Sequence, residues 1–492
     1  MKEKTVLQSI AVMAEQEPHK ICIVEQDNVI TYEQHWNAVQ FYAQELIQNR
    51  IERGTRIAIV AEQTARFLTV VSAIHLAGAV VIPLEKNLPE NRIKEIMQRL
   101  DCHWLVSTKK AFADEKTQVI DLSKINPLIH VQENFNIHIC CPKEEELADI
   151  LFTTGTTGTP KGIQITHRTN RAIAENVIDS TRLEYDDVEL IPTPINHSLG
   201  LRRYYGAMYR GSSIGIVEGV VFADKFFEMI EKYKITAIAL VPAMLSILLR
   251  FSAERLSGLD GKLRFIELGS AALSDDDKMK LCELLPSVRL YNTYGATESG
   301  CTCILDFNRY RDKKFCIGRL TINTKIHFVD EDGKEYQADQ NNPGCLVFEG
   351  PMNMKGYWKE PELNASILKN GKIYTDDVGY CGEDGMIYLL GRKDDVINSG
   401  GNKIAPQEIE NVAMEYGKIK ECACVPVKDF LAGEIPKLFV VMKDGEICQK
   451  EEILTYLSKH LEFYKVPKAL EVIDVLPRTF NGKIMRKKLK ER

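Results

Sequence analysis

Short apolar runs alternate with segments of helical spacing up to about residue 300. RIAIVAE (56–62), AVVIPLE (79–85) and WLVSTK (104–109) are apolar runs bounded by turn residues, and NRIKEIMQRL (91–100) repeats apolar residues three and four positions apart. The first pattern is typical of buried strands and the second of helices. Strands that alternate with helices in this way predict an α/β fold with a largely parallel sheet.

A β-hairpin is predicted before this alternation begins. The alternation of strands and helices returns after residue 236. Two apolar runs on either side of a Gln-Asp-Asn turn in 19–31 predict the β-hairpin. AIALVP (237–242), RFIELGS (264–270) and RLYNTYG (289–295) predict three more strands. The segments between them predict helices, of which the first runs over 243–256.

Beyond about residue 300 the pattern changes twice. Gly-rich alternating segments such as KIHFVDEDGKEY and GCLVFEG predict a small antiparallel β unit. From GRKDD (391–395) onward, helical segments and short strands make a compact α+β unit. We therefore predict a large N-terminal domain over 1–391, with parallel-rich sheets, helices and the small β unit, and a small mobile α+β C-terminal domain over 392–492.

Length and composition agree with a folded chain of more than one domain. It has 492 residues, of which 45% are hydrophobic and 27% charged, so there is ample material for a buried core. The formal net charge is −6, and only the last stretch, KIMRKKLKER, is locally basic. Nucleic-acid binders usually carry a strongly basic domain, which disfavours DNA or RNA as the main partner.

No segment is predicted to cross a membrane. The N-terminal residues form only short apolar stretches without a cleavage pattern, so they do not resemble a signal peptide. The segments 67–84 and 235–249 are the most membrane-like, but they contain His75, Pro83 and Pro242. Both are therefore predicted to be buried strand and helix pieces.

The 13 cysteines are scattered, with no C-x-x-C pair and no zinc-ligand spacing. Cys301 and Cys303, like Cys422 and Cys424, would point to the same face of a strand, and core packing is the interpretation for both pairs. Such cysteines fit a reducing cytoplasm.

The segment LFTTGTTGTPKGIQITH (151–167) is the most informative for chemistry. Its glycines, its threonines and Lys161 are what a loop needs to wrap phosphate oxygens and to neutralise them. It is not a Walker A loop, because Lys161 follows Pro160. The order T-T-G-T-T-G-T-P-K-G resembles the phosphate-binding loop of the adenylate-forming superfamily of acyl-CoA synthetases, peptide-synthetase adenylation domains and luciferases. The resemblance implies contacts to ATP from Thr153, Thr154, Gly155, Thr156, Thr157 and Lys161.

Other motifs of that superfamily follow in the expected order. YNTYGATES (291–299) resembles the adenine-binding turn, and the resemblance implies that Glu298 holds Mg²⁺ together with Thr153. A carboxylate beside phosphates would repel them without a bridging cation, which supports that role. GSAALS (269–274) is similar to the turn that flanks the adenine and the acyl pocket. The implied nucleotide contacts are Gly269, Ser270, Ala271, Asn292, Thr293, Tyr294, Gly295 and Thr297.

Two further motifs lie where the predicted domains meet. YTDDVGY resembles the segment whose aspartate, here Asp377, binds the ribose, although Asp376 stands where a glycine is usual and puts the local backbone shape in doubt. GRKDDVINSGGNKIAPQEIE resembles the hinge motif, which implies that Arg392 reaches the ribose and that Asp394 is the pivot. The implied thiol-binding residues are Ser399, Gly400, Gly401 and Lys403.

Near the C-terminus, LPRTFNGKIMRKKL (476–489) matches the superfamily signature P-x-T-x-x-G-K-I-x-R. The match makes Lys483 the implied catalytic lysine. Composition alone would make it one more cation in a solvated basic tail. The residues in matching order are Pro477, Thr479, Gly482, Lys483 and Arg486.

The acid pocket is implied by TPINHSLGLRRYYG (193–206), which resembles the segment in which a histidine, here His197, gates the carboxylate. Amino-acid-activating members carry an aspartate next, whereas this chain has Ser198, which disfavours an α-amino acid. Arg202 and Arg203 either reach a second carboxylate of a polar substrate or point to solvent or to a neighbouring subunit. The implied pocket residues are His197, Ser198, Arg202, Gly269 and Gly295.

The resemblance implies an AMP-forming acid–thiol ligase that makes an acyl-adenylate and passes the acyl group to coenzyme A, in fatty-acid or aryl-acid metabolism. Its implied catalytic residues are Lys483, Glu298 and His197, its cofactors ATP, Mg²⁺ and CoA, and its C-terminal domain rotates about Asp394 between the two half-reactions. Two alternatives stay open: a stand-alone adenylation enzyme that loads the phosphopantetheine of an acyl carrier protein, and a catalytically silent nucleotide-binding protein. A homodimer is open as well.

Overall fold

A computed structural model describes residues 4–108, 117–128, 141–153, 161–271, 273–400, 402–446, 449–478 and 484–492. Some of the candidate site residues lie outside the described residues: Thr154, Gly155, Thr156, Thr157, Gly401 and Lys483, together with the side chain of Thr153. The chain divides into two compact units. The first comprises Met1–Lys313, Ile317–Lys325 and Phe348–Ile373, and the second comprises Lys314–Cys316, Ile326–Val347 and Tyr374–Arg492.

The structure contains the predicted strands and helices and several that the apolar pattern did not single out. The first are α1 (Val6–Gln16), β1 (Ile21–Glu25), β2 (Asn28–Thr31), α2 (Tyr32–Gln48), β3 (Arg56–Val60), α3 (Ala65–Leu76), β4 (Val80–Leu84), α4 (Glu90–Arg99), β5 (Trp104–Ser107), β6 (Gln118–Asp121), β7 (Leu147–Thr153), β8 (Lys161–Thr166), α5 (His167–Thr181), β9 (Val188–Ile191), α6 (Ser198–Arg210) and β10 (Ser213–Ile216). The next are α7 (Ala223–Tyr233), β11 (Ala237–Leu240), α8 (Pro242–Phe251), α9 (Ala253–Ser257), β12 (Phe265–Leu268), α10 (Asp275–Leu284), β13 (Arg289–Ala296), β14 (Gly300–Asp306), β15 (Cys316–Leu320), β16 (Lys325–Val329), β17 (Glu335–Tyr336) and β18 (Gly344–Glu349). The last are β19 (Gly356–Tyr357), α11 (Pro361–Ile367), β20 (Leu368–Lys369), β21 (Lys372–Cys381), β22 (Ile387–Arg392), β23 (Ile397–Ser399), β24 (Asn402–Ile404), α12 (Pro406–Met414), β25 (Ile419–Asp429), β26 (Gly433–Met442), α13 (Lys450–His460), β27 (Ala469–Val472) and α14 (Arg486–Lys490).

Two sheets organise the first unit. In one, the order β13-β12-β11-β9-β10-β1 is parallel throughout, and antiparallel β2 and β14 pair with its two ends. In the other, the order is β19-β8-β7-β4-β3-β5-β6, parallel from β7 to β6 and antiparallel at β8 and β19. The predicted α/β class with parallel-rich sheets is therefore confirmed.

The main hydrophobic core of the first unit joins both sheets to the helices between them. It includes Ile23 and Ile214 of one sheet, Ile57 and Val81 of the other, and buried residues of α1, α2, α3 and α6. Helix α3 is buried along its whole length, from Ala65 to Leu76. This explains why α3 has apolar residues on all of its faces, as a helix surrounded by protein does.

The local patterns are confirmed with one difference. The hairpin predicted in 19–31 is formed by antiparallel β1 and β2, and 67–84 and 235–249 contribute α3 with β4 and β11 with α8. The helix predicted over 243–256 is instead two helices, because Ser252, with φ −144° and ψ 24°, leaves the helical conformation and separates α8 from α9.

The second unit contains two small sheets with helices packed on one of them. The strands β17, β16, β18, β21 and β22 neighbour one another in that order, which matches the predicted β unit. The other sheet has the order β24-β23-β26-β25, with β27 parallel to β26, and α12 and α13 contribute to its core. The domain boundary at residue 391 remains a prediction.

No helix among the described residues is long and apolar enough to cross a membrane. The cysteine pairs pack as predicted, since Cys301, Cys303, Cys422 and Cys424 are all buried.

Candidate active site

The turn after β12 is tied to the neighbouring strand. The hydroxyl of Thr293 donates to the carbonyl of Leu268 at 3.1 Å and lies 3.2 Å from Glu267 Oε1. Gly269 leaves room for this hydroxyl, because a Cβ there would come within 2.6 Å of it. Ser270 follows with φ +76°, a backbone conformation that non-glycine residues rarely adopt and that recurs at functional sites. The structure thus brings Gly269, at the start of the turn that continues through Ser270 and Ala271, beside Thr293 at the ends of two parallel strands, where α/β proteins bind ligands.

The segment 292–297 continues β13 past the edge of its parallel neighbour. Gly295 lies so close to β14 that a Cβ would be 1.9 Å from the carbonyl oxygen of Gly300, which excludes any other residue without a backbone shift. The ring of Tyr294 packs 6.0 Å from that of Phe348. Asn292 Oδ1 is buried and has no hydrogen-bond donor among the described residues.

Glu298 and Lys161 meet at one tyrosine. The hydroxyl of Tyr357 donates to Glu298 Oε1 at 2.7 Å, and Lys161 Nζ lies 5.6 Å from the centre of the same ring. Backbone bonds fix this arrangement, because Met354 donates to the carbonyl of Glu298 and Trp358 to that of Gly162, both at 2.8 Å. The structure therefore brings a cation and a carboxylate from distant motifs to one place.

Strands β7 and β8 are antiparallel neighbours, and Thr153 pairs with Lys161 on either side of residues 154–160. Below this pair, the buried Asp149 accepts hydrogen bonds from Asn170 at 2.6 Å and from Tyr205 at 3.1 Å, and it lies 3.0 Å from His75 Nε2. A carboxylate held by three partners anchors β7 firmly.

His197 is the residue that precedes α6. Its Nε2 lies 3.7 Å from Glu85 Oε1, and about half of each side chain is exposed. Burial lowers the pKa of His197, and the opposing effect of Glu85 is smaller, so the imidazole is neutral at neutral pH. Gly200 follows in the first turn, where a Cβ would be 2.4 Å from the carbonyl oxygen of Pro194.

Arg202 and Arg203 have different surroundings. Arg202 is half-buried and donates to the carbonyls of Ala296 at 3.0 Å and Thr297 at 3.5 Å. Arg203 is fully buried and forms ion pairs with Glu189 and Glu267. The interpretation that Arg203 points to solvent, to another subunit or to substrate is therefore wrong, because two protein carboxylates already occupy its guanidinium.

Sequence reasoning missed Glu189, Glu267 and Tyr357. The first two had a signal, since each is a charged residue inside an otherwise apolar buried strand, VELI and FIEL. Such a residue must be paired to be buried. Tyr357 had no signal, because its two contacts come from residues far away in the sequence.

In the second unit, the predicted ribose-binding residues lie side by side. Asp377 on β21 is directly opposite Arg392 on β22, and Arg392 Nε is 3.7 Å from Asp377 Oδ1. Arg392 also pairs at 2.7 Å with Asp376, the residue that replaces the usual glycine. Asp376 lies within β21 and has no left-handed backbone, so the local shape suits a residue other than glycine.

The predicted hinge and thiol-binding residues follow in the same unit. Asp394 is exposed in the turn between β22 and β23. Ser399 and Asn402 face each other across the β23–β24 turn, where Gly400 has φ +58°, and Lys403 Nζ lies 3.4 Å from the carbonyl of Pro343.

Arg486, from the lysine signature, has a structural role. It pairs with the buried Glu410 at 2.5 Å and donates to the carbonyl of Cys424 at 2.7 Å. These bonds hold α14, which directly follows the segment that contains Lys483, against β25.

Two family models match the sequence. The model for AMP-binding enzymes matches residues 10–358, and the model for the C-terminal domain of AMP-binding enzymes matches residues 408–483. The domain boundary predicted at residue 391 falls between the two matches.

Curated relatives and solved structures resemble the chain over its whole length. The 2-succinylbenzoate–CoA ligase of a Geobacillus species is 26% identical over 96% of this chain and 95% of its own, and that of Bacillus cereus is 28% identical over 96% of each. The o-succinylbenzoate CoA synthetase of Bacillus subtilis, in complex with its acyl-adenylate intermediate, has a TM-score of 0.82 at 23% identity and covers 100% of this chain and 99% of its own. The ATP-bound MatB of Rhodopseudomonas palustris has a TM-score of 0.84 at 24% identity over 99% of both chains. The two structures share the fold of this chain.

Proposed function

This chain belongs to the family of AMP-binding enzymes, and on that premise we propose that it uses ATP to couple a carboxylic acid to coenzyme A. The acid is first converted to an acyl-adenylate with release of pyrophosphate, and the acyl group is then transferred to the CoA thiol with release of AMP. The relatives named as CoA ligases support this reaction.

The observation that carries the proposal is the meeting of Lys161 and Glu298 at Tyr357. A reaction that moves phosphates needs a cation close to a carboxylate that can hold a metal ion. Glu298 directly follows Ala296 and Thr297, to whose carbonyls Arg202 is bonded.

In the first step, an oxygen of the acid forms a bond to the α-phosphorus of ATP while the bond from that phosphorus to the bridging oxygen of pyrophosphate breaks. Negative charge shifts onto the leaving pyrophosphate, so cations placed beforehand lower the barrier. Lys161 supplies one such charge from the hairpin, and Lys483 supplies a second. His197, neutral and partly exposed, orients the incoming carboxylate.

The described residues fit a magnesium ion held by the nucleotide. They include no cluster of three or more His, Cys, Asp or Glu side chains that could hold a metal. Mg²⁺ in nucleotide sites needs only one or two carboxylates, because phosphates and waters supply its other ligands. Glu298 would hold it, with Thr153, and the ion would neutralise phosphate charge there.

The nucleoside contacts follow from the same assignment. The buried Oδ1 of Asn292 needs a donor, and the amino group of adenine is one. Gly269, Ser270, Ala271, Thr293 and Tyr294 line the same strand ends, and Asp377 with Arg392 binds the ribose hydroxyls. Because Asp376 also pairs with Arg392, this arginine is already oriented before ATP binds.

In the second step, the thiol of CoA attacks the acyl carbon, the bond to the AMP oxygen breaks, and the thiol proton passes to solvent. Ser399, Gly400, Gly401 and Lys403 form the thiol passage, and Asp394 is the hinge between the two half-reactions. Gly400 suits such a passage because its φ of +58° brings backbone close to a ligand without a side chain.

A cytoplasmic location and a homodimer remain proposals. All cysteines of the described residues are free thiols, which agrees with a reducing compartment. Ser198 in place of an aspartate supports an acid without an α-amino group, and the relatives' names make 2-succinylbenzoate the first acid to test.

The proposed function is tested with pyrophosphate exchange across a panel of 2-succinylbenzoate, malonate, straight-chain acids and α-amino acids. Any acid that supports exchange is then incubated with ATP and either CoA or a phosphopantetheine-loaded carrier protein. We expect acyl-CoA, AMP and pyrophosphate in equal amounts with CoA. Formation of ADP, or no exchange with any acid, would contradict the proposal.

Replacing Tyr357 with phenylalanine should raise the Mg²⁺ concentration needed for half-maximal exchange about tenfold, because a hydrogen bond to a metal-binding carboxylate orients it. The ring, and with it the contact to Lys161, is kept, while the bond to Glu298 is lost. The equilibrium affinity for MgATP should fall, and that for ATP without metal should stay the same. Tyr209→Phe, which removes a similar 3.1 Å bond to Glu175, is the matched control. An equal loss of both ATP affinities would refute the metal-orienting role.

A further inference from the structure

Arg202 is a half-buried cation without a carboxylate partner. Its Nη2 donates to two backbone carbonyls, those of Ala296 and Thr297. No carboxylate of the described residues forms an ion pair with its guanidinium, and Nε and Nη1 are bonded to none of these residues. Neither nitrogen is a buried atom, so both reach solvent and are available to a ligand.

Arg203, the next residue on α6, is a buried arginine with only a structural role, and it is paired. Arg203 is enclosed by Glu189 and Glu267, and these ion pairs raise its pKa although burial opposes the shift. At Arg202 the balance is reversed, because burial lowers its pKa against the weaker attraction of Cys301, Glu298 and Glu267. The structure therefore leaves one of two adjacent guanidinium groups without a counterion.

The position of Arg202 connects two parts of the acid pocket. It lies one turn after Ser198 on α6, so both side chains share a face of the helix. Its two hydrogen bonds end on the strand edge that contains Gly295. The guanidinium is thereby held beside the Gly295 segment, with its orientation fixed by backbone rather than by another side chain.

We propose that Arg202 binds a second anionic group of the acid, so that the enzyme prefers dicarboxylic acids to monocarboxylic acids of the same skeleton. This inference rests on the proposed function. A carboxylate pairs with a guanidinium through two parallel hydrogen bonds, and the free Nε and Nη1 are the donors available for it. The distal carboxylate supplies the missing counterion, and the first carboxylate remains at the reacting end near His197.

The alternative partner for Arg202 is the reacting group itself, either the first carboxylate or the α-phosphate. The attraction from Glu298 places Arg202 in the electrical field of the proposed metal ligand. The two roles differ in their consequences. A residue that binds the reacting group serves every acid equally, whereas one that binds a distal carboxylate serves only acids that have it.

The test compares matched acids. The probes are 2-succinylbenzoate and 4-oxo-4-phenylbutanoate, which lacks only the aromatic carboxylate, together with succinate and its monoamide. The acyl-CoA formed is measured for the wild type, for Arg202→Gln and Arg202→Lys, and for the control Arg210→Gln, which removes an exposed arginine of the same helix that pairs with Glu184. Binding of the corresponding nonhydrolysable acyl-sulfamoyl adenosines is measured by calorimetry in parallel.

We expect Arg202→Gln to lower kcat/KM for the preferred diacid about 100-fold and for the matched monoacid by no more than about tenfold. Arg202→Lys should retain part of the preference, and Arg210→Gln all of it. Thermal unfolding reports on the folding of each variant. Equal losses for both acids, or a wild type without preference for the diacid, would overturn the inference while acyl-CoA formation still supports the proposed function. No acyl-CoA from any acid with the wild type would overturn both.

Discussion

Replacing Lys483 with alanine should reduce acyl-adenylate formation by at least about 100- to 1000-fold, because the leaving pyrophosphate would lose a positive charge fixed before the reaction. Formation of the thioester from a supplied acyl-adenylate should fall by less than about fivefold, since that step expels AMP and not pyrophosphate. Pyrophosphate exchange measures the first step, and CoA thioester formation from synthetic acyl-adenylate measures the second.

The control for this prediction is Lys487→Ala. Lys487 is exposed on α14 in the same basic tail, so its loss removes the same charge without touching the signature. If both variants lost activity to a similar degree, the tail would act through its net charge. Equal loss in both steps for Lys483→Ala would refute the claim that Lys483 acts in acyl-adenylate formation and not in thioester formation.

Replacing Arg203 with methionine should destabilise the first unit by about 3–5 kcal/mol, because it leaves Glu189 and Glu267 buried without a counterion. Urea denaturation measures the change. Adding Glu189→Gln to Arg203→Met should recover part of the loss, since one of the two unpaired charges is then gone. Arg210→Gln, at an exposed pair on the same helix, should change stability by less than about 1 kcal/mol.

The pH dependence of the free energy of unfolding gives a second check on the ion pairs of Arg203 with Glu189 and Glu267. Burial raises the pKa of Glu189 from 4.5 to about 7, although Arg203 opposes the shift. Because the folded protein holds this proton more tightly than the unfolded chain, the contribution of Glu189 to stability is greatest below pH 4.5 and is lost as the pH rises to about 7. In Arg203→Met the pKa of Glu189 should rise further, so the loss of stability should continue to higher pH. A stability that did not depend on pH in this range would contradict the assignment.

Much of the fold could be predicted because burial leaves a clear record in sequence. Strands such as β4 and β11 are buried along their whole length, and they appear as uninterrupted apolar runs. The division of 243–256 into α8 and α9 could not be predicted, because apolar spacing continues across Ser252 while the backbone does not.

The candidate site could be predicted only where a motif is local. Gly295 and Ser270 lie in short motifs that could be recognised in the sequence. The structure shows why these motifs are constrained: there is no room for a Cβ at Gly295, and Ser270 has a positive φ. Tyr357 and the partners of Arg203 depend on contacts between distant segments. Spacing alone could not separate Arg202 from Arg203, because adjacent residues on a helix point about 100° apart and only tertiary packing decides which one meets protein.

The turn between β22 and β23 has a mechanical consequence. Lys490 of α14 donates to the carbonyl of Asp394 and pairs with Asp395 at 3.0 Å. These bonds connect the turn to α14, so the turn and the helix move together. A rotation at Asp394, as proposed, would therefore carry α14 with the turn, and with α14 the residues that directly follow Lys483.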